Sequence, residues 1–462
     1  MRQALPPTRR GRLRVTVVIV ALLLVTPSAV SAATYDGEQS AIQRGTITQP
    51  ADGLTVVAVQ GFKHQDRGSI KKPARLVAFG PRGEVRWVYN GSNVGASWFY
   101  DVDPLPSGNL LVTAAHPQGT VVLGLDPATQ EPVWVEHLSI HDTHDIDYLP
   151  GNRLLVANMR QYNESTERNN DRLLVYNMTT DRVEWEWLFR EHYPRTGGGK
   201  YSDDWTHVND IDRIAPGKYL ASVRNFDQVI VVDRESGEIT QRLGRDDAHD
   251  IIYEQHNPQY LEGEDGRPAM LVADSENNRI VEYERRDGDW TETWKLTGGL
   301  SWPRDADRLP NGHTLIVDSL NHRVMEVTPT GRIVWEVYAP WGPYDAERVQ
   351  LGDEPGGPTI AEQGASGTHT LSGSAGLVPG TGGRSTFAGQ LTATFAGTPI
   401  DGQVRWFATR WAHVTPWIYP VWMTGWDFAG LILAALLLLM WLLAELVIER
   451  QWFVERIRRH VP

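Results

Sequence analysis

From about residue 45 to residue 340 the chain is written in short apolar runs, each closed by Gly, Pro, Asn or Asp. That punctuation predicts many short strands joined by tight turns. The runs repeat. One half-unit reads YDVDPLPSGNLLV from Tyr100, HDIDYLPGNRLLV from His144, NDIDRIAPGKYLASV from Asn209 and RDADRLPNGHTLIVD from Arg304. A fifth copy, HNPQYL from His256, stretches its turn before MLVAD at Met270, and GTITQPADGLTVVAV from Gly45 reads as a degenerate first copy. The second half-unit is a hairpin whose last strand carries Trp87, Trp134, Trp185, Trp294 or Trp335, with Gln241 in the one copy lacking it. Six four-stranded units closing on themselves predict an all-β fold, a six-bladed β-propeller over 45–340, with the recurrent Trp packing between blades.

Two apolar stretches lie outside the repeat. Arg9, Arg10, Arg12 and Arg14 precede an apolar run from Val15 to Val25 and then Ser31, Ala32 and Ala33. Residues 1–33 therefore read as a signal peptide or signal anchor, with cleavage near Ala32 preferred. Residues 428–448 are apolar apart from Glu445 and long enough for a transmembrane helix. Arg450, Arg456, Arg458 and Arg459 follow, while Trp411, Trp417, Trp422 and Trp426 precede. By the positive-inside rule, residues 449–462 are a basic cytoplasmic tail and the propeller is extracellular at the cell membrane. Sequons at Asn90, Asn163 and Asn177 are compatible with that side. The Gly-, Ser- and Thr-rich stretch within 341–425 reads as a stalk and membrane-proximal segment.

Composition narrows the chemistry. There is no Cys, which excludes disulfides, thiolate nucleophiles and iron–sulfur clusters. A net charge of −13 with only six Lys excludes nucleic acid as an expected partner. The membrane is reached through the C-terminal helix.

In a propeller the first strand of each blade lines the central channel, so one repeat register becomes one level of the axis. Before the shared acidic residue stand Tyr100, His144, Asn209, His256 and Arg304, with His207 two residues before Asn209. A second register, after the next strand, holds Ala114, Asn158, Arg224, Asp274 and Asp318. Packing positions of a repeat stay apolar, so converging His and Arg predict an anion site with an imidazole nucleophile, fit for a sulfuryl or phosphoryl ester. No cofactor and no metal are required. His141 and His144 are three apart, on opposite faces of a strand, and GGGK at Gly197 lacks the spacing of a phosphate-binding loop. The Asp residues of DVD, DID and DAD read as strand-turn hydrogen-bonding groups.

THDIDYL around His144, DWTHVNDID around His207 and Asn209, SVRN at Arg224 and EQHNPQ around His256 resemble the active-site segments of the arylsulfotransferase family. The resemblance implies an extracytoplasmic six-bladed propeller. It implies that His256 is the transiently sulfurylated nucleophile, that His207 and Asn209 bind the sulfuryl group, and that His144 and Arg224 contact sulfate. The implied partners are a small aryl sulfate donor and a phenolic acceptor, with no cofactor. The competing expectation is a noncatalytic extracellular binding module, since SENNRIVEY and SLNHRVMEV look like NHL repeats. A quinone-dependent dehydrogenase fits least, for want of a vicinal Cys pair.

Overall fold

A computed structural model describes residues 9–34, 42–61, 73–376, 386–420 and 422–460. Residues 1–8 of the N-terminal segment, 377–385 of the stretch read as a stalk, and the last two residues of the tail lie outside the described residues. The chain divides into two compact units, Ala41–Pro379 and a second formed by Met1–Ser40 with Gly380–Pro462.

The first unit is a six-bladed β-propeller of four-stranded antiparallel sheets. Blades 2 to 6 begin on the innermost strands Trp98–Pro104, Ile146–Leu149, Val208–Ala215, His256–Glu262 and Pro303–Arg308. Blade 1 closes the ring differently. Its innermost strand is Pro343–Arg348, which pairs with Thr55–Val59, so the end of the domain completes the sheet begun near its start. The sequence around Gly45 is not an inner copy: Gln43–Ile47 lies on the outer edge of blade 6, against Ile333–Tyr338. The sixth inner copy is Tyr344-Asp345-Ala346-Glu347, which repeats the acidic pattern of YDVD at Tyr100. Strands from both ends of the chain thus close the ring between blades 6 and 1, an arrangement that leaves neither of those sheet edges open to unwanted pairing.

Between blades the apolar faces are buried. Trp294 and Trp335 are fully buried, and their indole N–H groups donate to the carbonyls of Pro329 and Pro81 in the next blade's turn, at 2.8 and 3.1 Å. Trp87, Trp134 and Trp185 are partly buried against the apolar clusters of their own blades. Buried guanidiniums repeat the theme. Arg308 of blade 6 pairs with Glu282 of blade 5 at 2.9 Å, and Arg348 of blade 1 with Glu326 of blade 6 at 2.7 Å. Each lies over a Trp ring, Trp294 or Trp335.

The stretch after the ring is more ordered than its composition predicts. Ile360 is buried in the core of blades 5 and 6, and Gly367–Thr370 adds a parallel fifth strand to blade 5. An apolar anchor and an available sheet edge supply what the Gly- and Ser-rich sequence lacks in periodicity.

The second unit is helical: α1 (Arg9–Thr34), α2 (Phe387–Phe395), α3 (Asp401–Ile418) and α4 (Gly425–His460). Among the described residues, two stretches are long and apolar enough to cross a membrane, Gly11–Thr34 and Gly425–Val447. These two helices pack together. A Cβ at Gly430 of α4 would sit 2.7 Å from the Leu24 carbonyl of α1, so glycine there lets the backbones approach closely. Arg14 pairs with Glu445 at 2.8 Å, and the pairing of early α1 with late α4 makes the two antiparallel.

Candidate functional site

In the innermost strands, or two residues ahead of the strand for His144, one register holds Tyr344, Tyr100, His144, Asn209, His256 and Arg304 in blades 1 to 6. Their rings are packed together. His144 stacks on Tyr100 at 4.1 Å, and Tyr344 lies 5.4, 5.5 and 5.8 Å from the rings of Tyr100, His144 and His256. The Arg304 guanidinium sits over Tyr344 at 4.6 Å and over Trp302 at 4.3 Å.

His207 reaches this cluster by a different route from the one its spacing predicts. It lies just before its strand, in left-handed backbone with φ of 44°, so strand alternation does not aim it. Asp204 does, accepting from Nδ1 at 2.8 Å, and the His207 ring ends 5.1 Å from that of His144. Because a carboxylate only accepts, Nδ1 carries the proton and Nε2 is left as the basic atom.

His256 is held in the same tautomer by another partner. Its Nδ1 lies 2.8 Å from Ser275 Oγ, and that hydroxyl is 2.7 Å from the Pro303 carbonyl. The hydroxyl proton goes to the carbonyl, so Ser275 accepts from the imidazole and Nε2 keeps its lone pair. Among these imidazoles, His144 alone meets a donor on Nδ1, the Tyr344 hydroxyl at 2.9 Å, with Asp142 3.5 Å from Nε2. Arg160 bridges Asp142 and Asp204, tying the supports of His144 and His207 to one cation.

Arg224 opens the turn Arg224–Phe226 at the end of the second strand of blade 4. It is oriented by Glu254 and by Asn225 Oδ1, the latter at 3.0 Å. The other residues of that register serve structure instead: Asn158 accepts from Arg172, Asp274 pairs with Arg279 and Asp318 with Arg323. Asn209 is fully buried, its amide donating to the Gln255 carbonyl at 3.0 Å.

Electrostatics favour neutral imidazoles beside fixed positive charge. Burial, with the Arg304 and Arg224 charges, holds His256 well below the usual imidazole range. Burial and Arg224 lower His207 to about 3, against the opposing pull of Asp204. Burial also lowers His144. Arg224 Nε and Arg304 Nε are buried donors with no protein partner, while Asn209 Oδ1, an acceptor, is buried without one as well and offers nothing to an anion. A buried donor left unmade costs about 1–3 kcal/mol, so this arrangement is matched to a ligand that supplies the missing bonds. An anion held between two guanidiniums next to a neutral imidazole is set up for attack on that anion by nitrogen.

A family model, Arylsulfotransferase (ASST), matches residues 48–291, just over half of the chain. The chain belongs to the arylsulfotransferase family. The match includes His144, His207, Asn209, Arg224 and His256, and stops short of Arg304 and Tyr344. No curated protein matches. Among solved structures, a protein of unknown function from Bacteroides caccae is similar at 12% identity with a TM-score of 0.44, over 64% of this chain and 98% of that one. A virginiamycin B lyase from Staphylococcus aureus is similar at 11% identity with a TM-score of 0.39, over 64% and 88%. Likenesses this distant carry no argument about the site of an arylsulfotransferase.

Asp142, Asp204, Arg160, Ser275 and Tyr344 are the neighbours that sequence reasoning missed. Only Tyr344 left a signal, the YDAE that repeats YDVD.

Proposed function

We propose that the chain is an extracytoplasmic aryl sulfotransferase that moves a sulfuryl group from an aryl sulfate ester to a phenol through a sulfohistidine at His256. The observation that carries this reading is the Ser275-fixed tautomer of His256, which leaves Nε2 unprotonated beside Arg224 and Arg304. In the first half-reaction Nε2 forms a bond to sulfur, the bond from sulfur to the aryl oxygen breaks, and the phenolate leaves and takes up a proton. In the second, a phenol gives up its proton, its oxygen attacks the same sulfur, and the N–S bond breaks. Protons taken up and given up cancel over the cycle. Arg224 and Arg304 hold the nonbridging oxygens, His207 offers its Nε2 lone pair to the proton of the incoming phenol, and Asn209 and His144 line the edge of the sulfuryl site.

Placement outside the cell is supported by charge. Arg12 and Arg14 at the start of α1, and Arg450 after the apolar part of α4, sit at corresponding ends of an antiparallel pair. Positive charge marks the cytoplasmic face, so the segment between the helices is outside.

The test is release of nitrophenol from p-nitrophenyl sulfate by the full chain in detergent, with and without a phenol acceptor. Acceptor-dependent release, with a sulfuryl group trapped on His256 when acceptor is withheld, is the expected result. Folded protein that never turns over aryl sulfates would overturn the reading and leave the NHL-like binding module.

A further inference from the structure

One residue beyond the site level, the six innermost strands carry Asp101, Asp145, Asp210, Asn257, Asp305 and Asp345. Together with the acidic residues that follow them, and with Asp353 and Glu354, eleven carboxylates and the Asn257 amide line one cavity.

Most of this ring has a structural task, though between blades and not within turns. Three of the acidic side chains accept the backbone N–H one residue past their counterpart in the next blade: Asp345 from Val102 at 3.0 Å, Asp145 from Ile211, and Asp305 from Ala346. One register further on, Asp147 accepts from Arg213 at 2.8 Å and Gln259 from Arg308 at 2.6 Å. The pattern fails between blades 4 and 5. The residue that would donate to Asp210 is Pro258, which has no N–H. Asp210 Oδ2 is accordingly buried without a partner; Asp212 Oδ2 and the Asn257 side-chain carbonyl beside it are also without one, as are Asp101 Oδ2, Asp305 Oδ2 and Asp307 Oδ2 elsewhere in the ring. Asp210 itself is only 5% exposed.

Oxygens of Asp145, Asp210 and Asp212 lie within 4.8 Å of one another. Calcium takes oxygen ligands at about 2.3–2.6 Å, so ligands on opposite sides of one ion are about 4.8 Å apart. Neutral carbonyl oxygens commonly complete such a shell.

We propose that Asp145, Asp210 and Asp212, with the Asn257 carbonyl lining the same cavity, hold a calcium ion where blades 3, 4 and 5 meet. The ion takes no part in group transfer, and the inference stands without the sulfotransferase reading. Three of its four ligands, Asp145, Asp210 and Asn257, directly follow His144, Asn209 and His256 in sequence, so it fixes the segments that carry three of the site residues.

The experiment is calorimetric titration of calcium, and separately of magnesium, into the full chain in detergent after chelation, with thermal unfolding of the same samples. One saturable calcium event, tighter than magnesium and raising the unfolding temperature, is expected. Asp210→Asn and Asp212→Asn should each weaken calcium at least about tenfold, by removing a charged ligand. Asp147→Asn, whose carboxylate serves Arg213, should not. Folded, chelated wild-type protein that binds no calcium, tighter binding of magnesium, or equal affinity in the Asp210 and Asp147 variants would overturn the proposal. The wild-type arm stands even where a variant fails to fold.

Discussion

Ser275 Oγ stands between His256 Nδ1 and the Pro303 carbonyl, at 2.8 and 2.7 Å. Its single proton can serve only one neighbour as donor, and the carbonyl can only accept, so the imidazole is committed to Nδ1–H. Removing the hydroxyl frees the ring to change tautomer or rotate. Ser275→Ala should lower kcat on the order of 10²-fold with a smaller change in KM, by analogy with the contribution of an aligned proton-transfer group. Ser275→Thr should restore most of it. His256→Ala should abolish turnover in a protein that unfolds at the wild-type temperature, and His137→Ala, on an exposed outer strand, should be active. Equal losses in His256→Ala and His137→Ala would sink the assignment. His322 is a poor control for such a series, because it is buried and accepts the Gly342 N–H at 3.1 Å.

The pH profile of kcat/KM follows from the same site. His256 is lowered well below its ordinary range and His207 to about 3. Both are therefore neutral, and competent, well below pH 6.5. As pH falls, an unshifted imidazole would lose activity below about 6.5, its ordinary pKa, whereas this site should hold its rate to about pH 5. Stability is more sensitive to acid than the rate is at His207. Its folded pKa is below its unfolded value, so the unfolded state binds more protons, and its contribution is intact above about pH 6.5 and is lost as pH falls toward 3. An acid limb in kcat/KM centred near 6.5 would contradict the depressed values.

The ring was legible in the sequence because a repeat turns register into proximity. Tyr100, His144, Asn209, His256 and Arg304 share one position of the repeat, and the fold gathers Tyr100, His144, His256 and Arg304 around Tyr344. What the repeat does not encode was not legible. His207 lies outside its strand and is aimed by Asp204 through a positive-φ residue, and Arg160 joins Asp142 to Asp204 across 62 positions of sequence. The closing strand was hidden for another reason. A propeller can borrow any strand of its first sheet from the far end of the chain, and the apolar run after Gly45 resembles an inner copy until its missing acidic residues are weighed.

That closing strand makes the region past 340 essential to the fold. A propeller domain ended after Pro340 lacks the inner strand of blade 1 and exposes the Thr55–Val59 edge. It should be insoluble or unfold far below the same domain ended after Gly376, as circular dichroism melting would reveal. Equal melting temperatures would contradict the closure. Tyr344→Phe is a milder probe. It removes the hydroxyl 2.9 Å from His144 Nδ1 and should reduce kcat/KM on the order of tenfold or less, the equivalent of one ordinary hydrogen bond, with little change in melting.

The contact between α1 and α4 bears on the fate of the N-terminus. A signal peptide is released after cleavage and has no reason to match a second helix, yet Gly430 admits the Leu24 carbonyl and Arg14 meets Glu445. We expect α1 to be retained, so that the mass of the mature chain includes Arg14 and Leu24. Arg14 is nearly half exposed, and an exposed ion pair contributes about 0–1 kcal/mol, so Arg14→Ala should leave the helix pair intact. Gly430→Leu should not, because its Cβ would meet backbone oxygen that no rotamer change can move. Cross-linking between a Cys placed at Ala21 and one at Ala434, both buried, would report the pairing, strong in the Arg14→Ala background and lost with Gly430→Leu. A mature N-terminus at or after Ala33 would show instead that the apolar run is a leader and that α4 anchors the protein alone.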